Sequence, residues 1–222
     1  AAVLALPPGR HLVAALDTLV EGVHFPVGSP AASIGHRVLA VNLSDLAAMG
    51  AEPAWFLLSL TMPKVDEAWL EALAQGMHAL ARRAPIALVG GDTTRGPLSL
   101  SVQVLGHVAP GEALTRAGAR PGDLLFVSGD VGDAAAGLEL ELAGAGIESQ
   151  DTPAQAQLRA RFRFPTPRLS LGRALRGLAS AAIDVSDGLA ADAGKLAHAS
   201  GCGARLDVER LADLLDVFLR HE

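Results

Sequence analysis

Trp55-Phe56-Leu57-Leu58-Ser59-Leu60-Thr61, then a long amphipathic stretch from Asp66 to Arg83, then Ile86-Ala87-Leu88-Val89-Gly90-Gly91-Asp92 follow one another in the chain. Trp55 to Thr61 and Ile86 to Val89 are short apolar runs bounded by Pro, Gly or Asp, which is the pattern of strands. The middle one starts on Asp66-Glu67 and ends on Arg82-Arg83, a cap candidate and a charge order suited to a helix dipole. Working outward, His11 to Ala15, Val38 to Val41, Ser99 to His107, Asp123 to Ser128 and Ala181 to Val185 are also expected to be strands. Helices are expected at Ser44 to Gly50, Ala134 to Ala145, Ala154 to Arg163, Arg168 to Gly177 and Gly188 to Ser200. This alternation predicts an α/β or α+β protein. Pro110, Gly111, Gly118, Pro121 and Gly122 cluster between two such regions, so the spacing predicts a first domain over 1–110 and a second over 111–222. The second is helix-rich and expected to be an incomplete α/β domain, ending too early to close its own sheet.

Composition excludes several functions. Half of the 222 residues are hydrophobic, with a mean hydropathy of +0.33, so a packed core is expected and disorder is not. A net charge of −6 argues against a broad nucleic-acid surface, and six Phe, two Trp and no Tyr argue against stacked bases. Only Lys64 and Lys195 are lysines; neither sits in Gly-Lys-Ser/Thr, which excludes a P-loop. Serine-hydrolase and zinc signatures are missing. No apolar run is long enough for a membrane span and no secretory leader is evident, and a single Cys202 suits a reducing compartment, so a soluble cytoplasmic protein is expected.

The informative pattern is acidic. Asp17 follows a strand-like run, Asp45 starts an expected helix, Asp92 closes Gly90-Gly91-Asp92-Thr93-Thr94, and Asp184 and Asp187 frame Ser186. Carboxylates converging at strand ends suit Mg²⁺, which prefers hard oxygen ligands and bridges phosphates. Each taken singly is equally a helix cap or turn former. The paired glycines suit a phosphate-binding turn or simply a tight turn. Arg116 is a candidate phosphate fork or an ordinary surface arginine. His24, in a loop soon after Asp17, could reach a polar substrate or merely be exposed.

Four stretches carry a resemblance: Asp17-Thr18-Leu19-Val20-Glu21-Gly22-Val23-His24-Phe25, Val41-Asn42-Leu43-Ser44-Asp45-Leu46-Ala47-Ala48-Met49-Gly50-Ala51, Gly90 to Gly96, and Ile183-Asp184-Val185-Ser186-Asp187-Gly188-Leu189. In this order they resemble the thiamine-monophosphate kinase family of the aminoimidazole-ribonucleotide synthetase-like superfamily. The resemblance implies ATP- and Mg²⁺-dependent phosphorylation of thiamine monophosphate to thiamine diphosphate, with ADP released and no phospho-enzyme. It implies a cluster of several Mg²⁺ ions at Asp17, Asp45, Asp92, Asp184 and Asp187, ATP contacts at Gly91, Asp92, Arg116 and Ser186, and His24 facing substrate. It also implies a homodimer whose N-terminal sheets form a barrel-like interface.

Three departures stand out. The family's opening Gly-Asp-Asp and its later Ser-Gly-Gly-Glu-Asp substrate segment have no counterpart here, and Ala15-Leu16 stand where the family often has Ser-Thr. They keep two alternatives open: a non-catalytic nucleotide-binding or dimerisation fragment, and a related synthetase of the superfamily.

Overall fold

The computed structural model describes residues 1–143 and 151–207. Its elements run β1 (His11–Val20), α1 (Ala31–Ala48), β2 (Glu52–Met62), α2 (Glu67–Arg83), β3 (Ala87–Arg95), β4 (Ser99–Val108), α3 (Asp133–Ala143), α4 (Pro153–Arg163), α5 (Leu169–Ala174) and α6 (Leu189–Ala199). The protein is mixed α/β. Among the described residues four strands form an open sheet in the order β1-β4-β2-β3, with β2 and β3 parallel and the other neighbours antiparallel.

Alternation sorts the sheet into two faces. Val13 and Leu19 of β1, Phe56 and Leu60 of β2, and Leu100, Val102 and Val104 of β4 are buried on one face together with α1. The opposite face presents Leu12, Ala14, Leu16 and Thr18 of β1, all exposed. Pairing runs Thr18 to Ser101 to Ser59 to Asp92 across the four strands, so this open face changes from apolar to hydroxyl-rich at that row.

Helix α1 is buried nearly all round, from Ile34 through Val38, Leu39 and Leu43 to Leu46, because the sheet lies on one side and α2 on another. This corrects the strand expected at Val38 to Val41. A short, fully apolar run has the same appearance in a buried strand and a buried helix, and only its continuation into Leu43 and Leu46 reveals the helical period. The separate helix expected at Ser44 to Gly50 is the end of the same element. Helix α2 meets its expectation closely: Asp66 accepts a hydrogen bond from the Trp69 N–H, and Arg82 and Arg83 fill the last turn. The strands expected at Asp123 to Ser128 and Ala181 to Val185 are absent among the described residues; neither segment pairs into the sheet. Residues Gly144 and Ala145 of the expected third helix, and the segment from Ala212 to Glu222, lie outside the described residues.

Candidate functional site

Asp17 lies inside β1 on the face toward α1, and Asp45 lies in the last turn of α1. Neither is at the element boundary expected from sequence. A fully buried amide ties Asp17 to α1: the Asn42 Oδ1 accepts from the Asp17 N–H at 2.9 Å, and its Nδ2 donates to the Val38 carbonyl at 2.8 Å. Because β1 is an edge strand, that N–H faces away from β4 and would otherwise be orphaned under the helix. Asn42 was legible only as part of a motif; its role depends on the helix crossing this edge. Replacing it in Asn42→Leu should cost about 1–3 kcal/mol through the unpaired N–H. Thermal unfolding should register this as a fall of several degrees, and an unchanged midpoint would remove Asn42 from this role.

The charges of Asp17, Asp45 and Asp184 are mutual neighbours. Burial, then Asp184 and Asp17, push the Asp45 carboxyl up to about 6, with Arg116 opposing. Burial and Asp184 also raise Asp17, while His24 lowers it. Three carboxylates with one nearby guanidinium leave an uncompensated negative centre of hard oxygen donors, the donor type a divalent cation takes. Among the described residues, however, no three His, Cys, Asp or Glu side chains are drawn tightly enough together to hold a metal ion.

His24 belongs to the turn after β1. Its Nδ1 accepts from the Val20 N–H at 3.0 Å, so in the neutral ring the proton sits on Nε2. Arg116 is held from both sides: the Ser200 Oγ donates to the Arg116 carbonyl at 2.8 Å while accepting from the Gly118 and Ala119 N–H groups, and the Ala182 N–H donates to the Thr115 carbonyl. Ser200 thus ties the Arg116 loop to the C-terminal end of α6.

Asp92 stands apart from the three clustered carboxylates. It lies within β3, paired with Ser59 on the open face, whereas Asp17 faces α1. The expected phosphate turn at Gly90 to Thr94 is therefore a strand. Gly91 is explained by packing, because a Cβ there would come within 1.9 Å of the Leu58 carbonyl oxygen. In the Asp184 to Gly188 loop, the N–H groups of Ser186 and Asp187 both donate to Asp192 Oδ2, at 2.8 and 2.9 Å. The Lys195 ammonium donates to Asp187 and Asp192. Asp192 and Lys195 carried only a generic signal in sequence, an acid in the first turn of a helix and a base a turn later.

Residues 1–108 match the family model for AIR synthase related protein, N-terminal domain, and residues 120–222 match that for AIR synthase related protein, C-terminal domain. The thiamine-monophosphate kinase of Salmonella typhimurium is 49% identical over 220 residues, covering 99% of this chain and 67% of that protein. The crystal structure of thiamine-monophosphate kinase from Stenotrophomonas maltophilia aligns with a TM-score of 0.83 at 51% identity, covering 90% of this chain and 64% of that one. AaThiL, solved in complex with AMPPCP and TMP, aligns with a TM-score of 0.83 at 34% identity over 89% of this chain and 63% of its own. The chain spans about two thirds of the length of these relatives.

Proposed function

Because this chain belongs to the AIR synthase related family, and within it to the thiamine-monophosphate kinases, we propose that it transfers the γ-phosphoryl of ATP to the phosphate of thiamine monophosphate, giving thiamine diphosphate and ADP. The observation that carries this reading is the convergence of Asp17, Asp45 and Asp184, where burial first and then the charges of Asp184 and Asp17 raise Asp45 to about 6. The relative solved with AMPPCP and TMP supports both substrates.

Asp17, Asp45 and Asp184 would hold Mg²⁺, joined in this reading by Asp187 and by Asp92 from the open face. When bound, Mg²⁺ supplies positive charge to the phosphate oxygens of two anionic reactants. The chain's own residues do the positioning. Arg116 lowers the negative potential at Asp45 and offers a planar fork to a nucleotide phosphate, with Gly91, Asp92 and Ser186 completing the ATP contacts. With its Nδ1 accepting from the Val20 N–H, His24 has its Nε2–H left to offer to substrate in this reading. No side-chain nucleophile is needed, because charge placement and in-line alignment dominate phosphoryl transfer.

In this reading 1–110 bind nucleotide and dimerise, and 111–222 form the second domain. Leu12 and Leu16, 52% and 62% exposed on a sheet face, support a second copy closing the open sheet into a barrel-like interface. Among the described residues no helix is long and apolar enough to cross a membrane. A cytoplasmic site fits an ATP-consuming step of cofactor synthesis.

Incubation with Mg-ATP and thiamine monophosphate should yield thiamine diphosphate and ADP in equal amounts. Folded protein that binds Mg-ATP without turnover would instead favour a nucleotide-binding piece. ADP release only with another acceptor would favour a related synthetase.

A further inference from the structure

The loop from Asp184 to Gly188 is shaped by a carboxylate that sequence reasoning passed over. Asp192 is 1% exposed and fully engaged: one oxygen accepts from the Ser186 and Asp187 N–H groups, the other from the Lys195 ammonium at 2.7 Å. Those bonds hold its carboxyl below the usual carboxylate range despite its burial. The same ammonium also grips the Asp187 carboxylate, and here the surroundings differ. The Asp187 side chain is 65% exposed and that of Lys195 is 42% exposed. An exposed ion pair is weak, because water and salt screen it and two side chains lose freedom to make it. A buried carboxylate, by contrast, does not readily give up a charged partner. One end of the Lys195 bridge is therefore tethered and the other is easily exchanged.

Resting on the metal-dependent reading above, we propose that Lys195 is the resident counter-ion of Asp187: it yields that carboxylate to a divalent cation and, still tethered by Asp192, turns its ammonium to a phosphate oxygen of the nucleotide. One ammonium serves two carboxylates at rest, so Asp187, Asp192 and Lys195 together carry a net charge of −1 that attracts a cation. A divalent cation at Asp187 turns this to +1, which a phosphate oxygen meeting the ammonium offsets. The exchange also gives a role to one of only two lysines in a chain that has no P-loop. The loop itself does not depend on Lys195, since its two backbone N–H groups are held by Asp192 Oδ2.

The test compares the full chain with Lys195→Met, which keeps an apolar stem and removes the charge, and with Lys195→Arg, which restores it. Calorimetric titration with Mg²⁺ alone should show Lys195→Met binding about two- to fivefold more tightly, because the internal competitor is gone. Titration with a non-hydrolysable ATP analogue at saturating Mg²⁺ should show the same variant binding about tenfold more weakly, with Lys195→Arg recovering most of that loss. The opposite signs separate this role from a structural one, which would weaken both. Equal or weaker Mg²⁺ binding by Lys195→Met, with wild-type binding intact, overturns the proposal and leaves the kinase reading standing. A wild-type chain that binds no Mg²⁺ and makes no thiamine diphosphate overturns both. If Lys195→Met unfolds, Lys195→Gln is read by the same two titrations.

Discussion

Asp45→Asn should abolish turnover, with a fall of about 10³-fold or more, and should raise the thermal midpoint of the ligand-free protein at neutral pH. Both effects follow from one cause. The carboxyl has its pKa raised from 3.8 to about 6 by burial and by Asp184 and Asp17. Between those values the folded chain holds a proton that the unfolded chain has lost. The resulting stability is complete below about pH 3.8, declines as pH rises, and is gone above about pH 6, where the native state carries the full repulsion. Solvent screening of a half-buried group reduces the effect to the order of 1–2 kcal/mol. Asp45 also stands in the last turn of α1, where the helix dipole disfavours a negative charge. An amide of the same shape relieves both penalties, and at about 2–4 °C per kcal/mol the midpoint should rise by a few degrees and lose much of its decline between pH 4 and 6. A marked drop in the midpoint, with residual activity tracking the folded fraction, would make Asp45 a structural residue and sink its proposed part in holding Mg²⁺.

The largest stability effect is expected where α1 meets α2. A Cβ on Gly76 would lie 1.9 Å from the Ala32 carbonyl oxygen, and one on Gly35 would lie 2.1 Å from the Leu73 carbonyl oxygen. Both obstacles are backbone, so no rotamer change relieves them; the helices must move apart and open the core around Ile34, Met77 and Leu80. Gly76→Ala or Gly35→Ala should each cost about 2–4 kcal/mol, outweighing the gain of about 1 kcal/mol that alanine normally brings to a helix. The midpoint should fall by about 5–15 °C. Gly194→Ala in α6 is the control: a Cβ there meets nothing within 4 Å, so helix propensity alone acts and the midpoint should hold or rise. Equal responses at Gly76 and Gly194 would contradict the close helix crossing.

Helix α2 and strands β2 and β4 were readable because each displays its period against a contrasting face: Leu73, Gly76, Met77 and Leu80 turn inward at helical spacing, and Leu100, Val102 and Val104 alternate. The Val38 to Val41 segment was not readable, because a helix enclosed on several sides has no polar face to mark its turn. Asp123 to Ser128 and Ala181 to Val185 have the composition of strands, yet pairing requires a neighbour, and none is present among the described residues.

The candidate site divides in the same way. Residue types, order and spacing alone determined the family and the kind of donor on offer: hard oxygen donors, no P-loop lysine, and four stretches matching one family of kinases. Which carboxylates act on one another was decided only by the tertiary structure, since strand register puts Asp17 toward α1 and Asp92 on the opposite face, and a helix turn brings Asp45 beside Asp17. Asn42, Asp192, Lys195 and Ser200 became visible at the same level. Their function lies in hydrogen bonds to backbone groups and side chains that only the folded chain brings within reach, and such partners leave no periodic trace in a sequence.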